Sequence, residues 1–405
     1  MSQSTDAPSG RRLRELFALR SDVVFLNHGS FGARPWPVIE EYRRWQLELE
    51  RQPVEFLGRR FAPAMREART ALADYVGAGV DDLVFVPNAT TGLNIVARSL
   101  PLAPGDEVLT CDHEYGALES TWRFVCARRG ASYVRQPIDL PIAKAAEVAE
   151  AVWSGVTSRT RVLFLSHVTS PTALTLPVAE LVRRARAAGI WTVIDGAHAP
   201  GHLPLDLDEL GADFYSGNLH KWLCAPAGSA FLHARPEVQH LLRPLVVSWG
   251  WNRSEEVYGP GDPSRSTGRF VDEQEWQGTR DPAAYLAVPA AIRFQAENDW
   301  PQVRTGCHEL LLGAGRQIGE LTGLPHICPP TREWFGQMAA FPLPPCDSEA
   351  LKRRLYDEFR VEVPVVDWRG RQLIRVSVQG YNTAADIEAL TGALAVLLPE
   401  VTTTA

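Results

Sequence analysis

"YSGNLHKWLCAP", residues Tyr215–Pro226, joins two apolar runs and sets a lysine directly after a histidine. The chain carries 41 Lys+Arg, yet lysine occurs only at Lys144, Lys221 and Lys352. Arginine supplies every other cation, so a primary amine at Lys221 calls for a reason. An amine can lose its proton and attack a carbonyl, whereas a guanidinium stays protonated and is a poor nucleophile. Just upstream, "DFYS" (Asp213–Ser216) reads as a buried strand. Lys221 therefore stands past the carboxyl end of a strand, where open α/β sheets gather their ligands.

The neighbouring sequence repeats that pattern. "LVFV" (Leu83–Val86), "EVLT" (Glu107–Thr110), "RVLFLS" (Arg161–Ser166), "TVID" (Thr192–Asp195) and "SAFLH" (Ser229–His233) are short apolar runs, suited to strands buried on both faces. Helical patterns lie between them, such as "PVAELVRRARAAG" (Pro177–Gly189), which ends on a glycine where a helix stop belongs. Alternation of this kind predicts an α/β fold with a mostly parallel sheet wrapped by helices. Val257–Asp272, rich in Gly, Pro and Ser, reads as a long loop. A helix is expected over Pro282–Asn298, and "LIRVSV" (Leu373–Val378) reads as a strand among further helices. The expected organisation is an N-terminal arm over 1–25 that joins the small domain, a large domain over 26–281 and a smaller C-terminal α+β domain over 282–405.

Two further strand ends carry chemistry. Asp195 closes "WTVID" and precedes "GAHAPGH". An amine and a carboxylate at neighbouring strand ends can simply form an ion pair, but an aspartate can also keep a pyridinium nitrogen protonated while a lysine binds an aldehyde. After "LVFV", the stretch "PNATTGLN" (Pro87–Asn94) opens a helical pattern running to Ser99. Asn, Thr and Gly at a helix start cap the helix, and they also leave outward-facing N–H groups and hydroxyls that suit an anion. Neither G-x-x-x-x-G-K-[ST] nor G-x-G-x-x-G is present, which weighs against a nucleotide site. Anion cradle, acid and lysine, each after a strand, imply pyridoxal 5'-phosphate.

The chain resembles the class V aminotransferase superfamily of fold type I pyridoxal-phosphate enzymes, and within it the epimerases. The likeness runs nearly end to end through "LNHGSFGARP", "PVEFLGRR", "NATTGLNIVARSL", "DHEYGALESTW", "FLSHVTSPTALTLP", "VIDGAHAPGHLPLDL", "GADFYSGNLHKWL", "VSWGW", "EWQGTRDPAAYLAVPAAI" and "LIRVSVQGYNT". By that resemblance, Lys221 would bind the cofactor's aldehyde and act as acid and base at Cα. Asp195 would pair with the pyridine nitrogen. His198, where many relatives carry glutamine, would reach the phenolic oxygen, with Ser170 or Thr169 nearby. Ala89, Thr90, Asn218 and His220 would hold the phosphate, joined by Thr279 of "QGTRD" from the other subunit of a homodimer. His113 matches the ring that stacks on the cofactor, and Tyr115 competes for that place. Arg375 matches the arginine that takes a substrate carboxylate in a bidentate pair. Asn27 and His28 would border the substrate, while His167, His202, His233 and His240 are read as structural.

The shared step in this superfamily is removal of the Cα proton of an amino-acid substrate. Reprotonation on the other face gives epimerisation, for which His113, Tyr115 or His28 could supply the second proton. Loss of a β-substituent gives C–S lysis, and decarboxylation or transamination would use the same site. The nearly full-length likeness favours the epimerase-type reaction. Cysteine desulfurases need a nucleophilic cysteine shortly before the carboxylate-binding arginine, and "VEVPVVDWRGRQLI" has none. The opposing class is a pyridoxal-phosphate-binding regulator, which is expected to carry an added DNA-binding module for which the short N-terminal stretch leaves no room.

Composition agrees with a small-molecule enzyme. The 405 residues carry a net charge of -7, which weighs against nucleic acid or an anionic membrane as partner. The six cysteines are scattered without a C-x-x-C pair, a pattern of reduced thiols and not of a disulfide framework or a metal site. Neither an apolar signal core at the start nor a long apolar run is seen, so a cytoplasmic enzyme is expected.

Overall fold

The structure, a computed structural model, describes residues 10–251 and 266–402. Its main sheet has seven strands. In chain order these are β2 (Leu83–Val86), β3 (Glu107–Cys111), β4 (Ser132–Gln136), β5 (Thr160–Ser166), β6 (Trp191–Asp195), β7 (Phe214–Asn218) and β8 (Ala230–Ala234), after a short β1 (Val24–Phe25) elsewhere. The spatial order is β2-β8-β7-β6-β5-β3-β4. Strands β4, β3, β5, β6 and β7 pair in parallel, and β8 alone runs the other way, against both β7 and β2. The sheet is mostly parallel, so the carboxyl ends of β2, β5, β6 and β7 all lie on one side.

Alternation along the strands sorts side chains to two faces. Leu163, Leu165, Ile194, Tyr215 and Phe231 pack into one apolar cluster, while Val162, Phe164, Val193, Phe214 and Leu232 pack into another. Both faces are covered by helices, which is why these strands read as continuous apolar runs.

A second sheet of three antiparallel strands, in the order β11-β12-β9, joins β9 (Met338–Pro342), β11 (Val365–Trp368) and β12 (Arg371–Ser377). It packs with the helices Trp300–Thr322, Ser348–Phe359 and Ala384–Val401. The two-residue strand β10 (Val361–Glu362) pairs in parallel with β1, which ties the segment ahead of Asn27 to the C-terminal part of the chain.

Several expectations need correction. The edge strand β4, "SYVRQ", gives no apolar run because it is partly exposed along its length. β9 and β11 were likewise not legible as strands. The loop expected over Val257–Asp272 falls outside the described residues up to position 265, and from Ser266 the chain is helical as far as Glu275. The helix expected over Pro282–Asn298 is two helices, Ala283–Leu286 and Val288–Glu297. Pro289 enters the second in its first turn, where a missing N–H costs nothing, but it cannot continue the first. Among the described residues no helix is long and apolar enough to cross a membrane.

Candidate active site

The strand ends converge on a cavity of about 400 Å³. β2 ends at Val86, and Asn88 caps the helix Ala89–Ser99 by accepting from Thr91 N at 2.8 Å. Ala89 N–H donates to Asn218 Oδ1 at 2.9 Å, locking the helix start to the end of β7. That close approach requires Gly92, where a Cβ would lie 2.3 Å from Ser216 Oγ. Gly32, at φ +71, brings the N-terminal segment onto the lysine loop, with His220 O only 2.0 Å from where a Cβ would stand. A side chain at either glycine would push an element off the cavity.

Lys221 and Asp195 both face this cavity, beside Ala89, Thr90, Ser170, His198, Asn218 and His220. Asp195 is buried, and its Oδ1 accepts from Ala197 N at 2.9 Å. Burial raises its carboxyl above the ordinary 3.8, to about 6, against the pull of Lys221. Burial likewise lowers the Lys221 amine below the ordinary 10.5, to about 8, with Asp195 opposing that shift. Lys221 Nζ lies 3.2 Å from His198 Nε2. A lysine held so far below its usual range can act as a nucleophile or a base near neutrality.

Arg375, on β12, is 6 % exposed. Its Nη1 donates to Ser170 O at 2.7 Å and its Nη2 to Ser30 Oγ at 3.0 Å, while its Nε is buried with no partner. Among the described residues no carboxylate pairs with it. Burial alone pushes its guanidinium down to about 10. A buried, unpaired cation costs several kcal/mol, so this one waits for an anion.

Other candidates stand differently. Tyr115 lines the cavity, whereas His113 does not. His113 is fully buried, with Nδ1 2.8 Å from Thr172 Oγ1, Nε2 2.8 Å from Ile138 O, and its ring against Trp368. Of the two rings expected to compete for the cofactor face, Tyr115 borders the cavity, while both nitrogens of His113 are bonded at the ring's edge, which fixes its orientation but does not occupy its face. His28 is also fully buried, bonding Tyr381 Oη at 2.9 Å and Lys221 O at 3.0 Å. It braces the lysine's backbone and does not line the cavity. Asn27 is one step removed: its Oδ1 accepts from Ser30 Oγ at 2.6 Å, and its Nδ2 donates to Glu362 at 3.0 Å. Thr169 is buried against Thr172 and Leu174 N, which leaves Ser170 as the residue of that pair at the cavity. Thr279 is exposed and does not meet the cavity of its own chain. Sequence reasoning missed Ser30, although it sits inside the quoted "LNHGSFGARP", and it missed Ser166 and Trp222.

The sequence profile of the aminotransferase class-V family matches residues 37–390. The chain belongs to that family. It is 39% identical over 391 residues to an isopenicillin N epimerase of Amycolatopsis lactamdurans, a match covering 94% of this chain and 96% of the relative. It is 33% identical to a putative L-cysteine desulfhydrase of Oryza sativa subsp. japonica, over 92% of this chain and 82% of that one. A solved structure of a C-DES mutant, with glycine covalently linked to the PLP cofactor, superposes with a TM-score of 0.79. It is 23% identical and covers 94% of this chain and 98% of that one, so it speaks for the fold. As a class V member with the fold type I architecture, the chain is a pyridoxal-phosphate-dependent enzyme. The residues present fit that cofactor, since an amine of lowered basicity, a buried acid and a capped helix start line one cavity.

The buried histidines give the protein a defined acid sensitivity. Burial holds His28 and His202 at about 3, and His167, His220 and His233 at about 4, all below the ordinary 6.5. Between those values and 6.5 the unfolded chain binds more protons than the folded one, so stability falls as pH falls, by at most about 1.4 kcal/mol per pH unit for each group. Asp195 and Glu114, raised by burial to about 6 and about 7, act in the opposite sense, because the folded state holds their protons more tightly. His113, His198 and His308 are lowered as well, and Asp82 and Glu275 are raised, so among the described residues eight histidines stand against four carboxyls. The melting temperature is expected to drop steadily from pH 6.5 to pH 4.5 in a calorimetric series, and a flat or rising profile would contradict this charge balance.

Proposed function

We propose that this enzyme removes the Cα proton of an amino-acid substrate and returns it on the other face, an epimerisation of the isopenicillin N epimerase type. The observation that carries the reading is Arg375, a buried cation with no carboxylate partner among the described residues, bonded to Ser30 and Ser170 of the cavity wall and near enough to Lys221 to lower its basicity. A planar guanidinium matches an α-carboxylate in two parallel bonds. A substrate held there presents its α-carbon towards Lys221. Residues 26–281 are proposed to form the cofactor-binding domain, with 1–25 and 282–405 forming the smaller one.

When bound, the cofactor supplies an aldehyde for the amino group and an electron-poor ring that takes up the electrons left at Cα. Lys221 Nζ would anchor the cofactor through that aldehyde, and its lowered basicity would suit it to carry the Cα proton. Asp195 would pair with the ring nitrogen and favour a proton there. The helix start at Ala89 and Thr90, with the Thr90 hydroxyl, Asn218 and His220, would hold the phosphate, aided by the positive end of the helix Ala89–Ser99, while Ala89 N–H keeps Asn218 in place. Ser30 and Ser170 hold the Arg375 fork in place. Thr279 would reach the phosphate of a partner subunit in the homodimer proposed here, in keeping with its exposure on its own chain.

Epimerisation needs a second proton carrier across from Lys221. His28 and His113 are bonded away from the cavity, which leaves Tyr115 of the three candidates. Tyr115→Phe is expected to keep exchange of the Cα proton with deuterated solvent while losing at least about 100-fold in inversion, the scale of one general acid. Equal inversion in both proteins would remove Tyr115 from the role.

The second reading is C–S elimination, favoured by the desulfhydrase relatives, since it needs only Lys221 and a leaving group. Persulfide chemistry of the desulfurase kind has no support, because all six cysteines are buried and none lines the cavity. Incubating the enzyme with chiral amino-acid substrates, including cysteine and cysteine-bearing peptides, separates the two readings. Loss of chirality without keto-acid release supports epimerisation, and stoichiometric pyruvate with sulfide supports the lyase.

Asp195→Asn offers a check on the electron sink. Losing one charge-assisted bond is expected to weaken cofactor binding by roughly 1.5–3 kcal/mol, with a larger fall in turnover, measured by cofactor titration and steady-state rates. Full activity in that variant would place the acid elsewhere.

A further inference from the structure

Around Lys221 the hydrogen bonds can be ordered by elimination, because several partners can only donate. The indole N–H of Trp222 has no acceptor capacity, and it points at His198 Nδ1 across 3.2 Å. That nitrogen must therefore be unprotonated. A neutral imidazole with a bare Nδ1 carries its hydrogen on Nε2, the atom 3.2 Å from Lys221 Nζ. His202 repeats the logic one layer back. The backbone N–H of Gln337 donates to its Nε2 at 2.7 Å, so its hydrogen sits on Nδ1 and goes to His198 O at 3.0 Å. The Trp222 indole packs between the rings of His202, at 4.5 Å, and His28, at 5.0 Å, which hold it in place. All these rings are buried.

We propose that Trp222 is a positioning residue that fixes His198 as the Nε2–H tautomer, making it a permanent hydrogen-bond donor to the occupant of the space before it. Without cofactor that occupant is the lone pair of the Lys221 amine, whose neutral, nucleophilic form is thereby favoured. With cofactor it is the phenolic oxygen, an assignment that rests on the function proposed above. The charged and titratable groups facing His198 are Lys221, Arg375, His202 and His220, and all of them oppose a second proton on the ring. His198 is thus a donor and not a base. A glutamine side chain shares with this tautomer the ability to donate from one side and accept from the other. The indole is what lets a histidine do the same work, since an unguided imidazole would divide between two tautomers.

The test is a long-range proton–nitrogen correlation on holoenzyme labelled with ¹⁵N-histidine, His198 being assigned as the signal lost in His198→Gln. The expected pattern is a protonated Nε2 and a bare Nδ1, unchanged between pH 8 and pH 6. In Trp222→Phe, which keeps a ring but removes the donor, the signal is expected to become a mixture of tautomers. A protonated Nδ1 in the parent, or an unaltered single tautomer in Trp222→Phe, would overturn the inference, and if that variant fails to fold the parent spectrum decides. No turnover is measured, so the result stands apart from the proposed reaction: an Nε2–H signal in a protein that leaves amino acids untouched would uphold this inference and sink the other.

Discussion

Lys221→Ala protein is expected to turn over α-amino acids at least about 1000-fold more slowly than the parent, within the range for loss of a general acid–base, and with loss of cofactor anchoring on top. Neither of the other lysines can substitute, since Lys144 and Lys352 are exposed on the surface away from the cavity. Stability should not fall with activity. The Lys221 amine is buried and its protonated form is opposed by burial and by Arg375, so its removal costs no favourable charge and leaves Asp195 free to take up a proton. A melting temperature equal to or above the parent's, beside a collapsed rate, separates a catalytic lysine from a structural one. A parallel loss of both would assign Lys221 to an ion pair with Asp195.

The second large effect is at Arg375. Removing one member of a buried charge pair costs about 2–5 kcal/mol, so Arg375→Ala should lower kcat/KM for an α-amino acid by roughly 30- to 5000-fold. Arg375→Lys keeps the charge but not the fork, and most of that loss should remain. The common fate of a strand arginine is to pair with a protein carboxylate, and there its removal strands a buried anion and destabilises the fold. No such anion meets Arg375 here among the described residues, and only Ser30, Ser170 and a backbone oxygen do. Both variants should therefore fold as well as the parent. A variant with parental kcat/KM would remove Arg375 from the site, and one that unfolds would return it to a structural role.

Much of the site could be read from the sequence because its parts hang on strand ends. The apolar runs of β2, β5, β6 and β7 are unmistakable when both faces are covered, and the residues just past their carboxyl ends lie on one side of the sheet. That is enough to bring Asn88, Ser170, Asp195 and Lys221 together. Arg375 is marked by its motif, since a strand arginine alone carries no signal. The features that escaped depend on side-chain partners and not on periodicity. "DHEYG" places His113 and Tyr115 two residues apart, but only packing shows that His113 turns to Thr172 and Ile138 while Tyr115 faces the cavity. His28 looked like a substrate contact and instead props the Lys221 carbonyl. The exposed edge strand β4 and the short strands of the second sheet lacked the apolar runs that marked the rest.

Borohydride reduction of the purified protein, followed by peptide mapping, tests most directly whether this chain holds its cofactor where the cavity places it. The protein should be yellow, reduction should abolish that colour, and the pyridoxyl adduct should map to Lys221 alone. An adduct on Lys144 or Lys352, or a colourless protein that ignores added pyridoxal 5'-phosphate, would contradict the assignment.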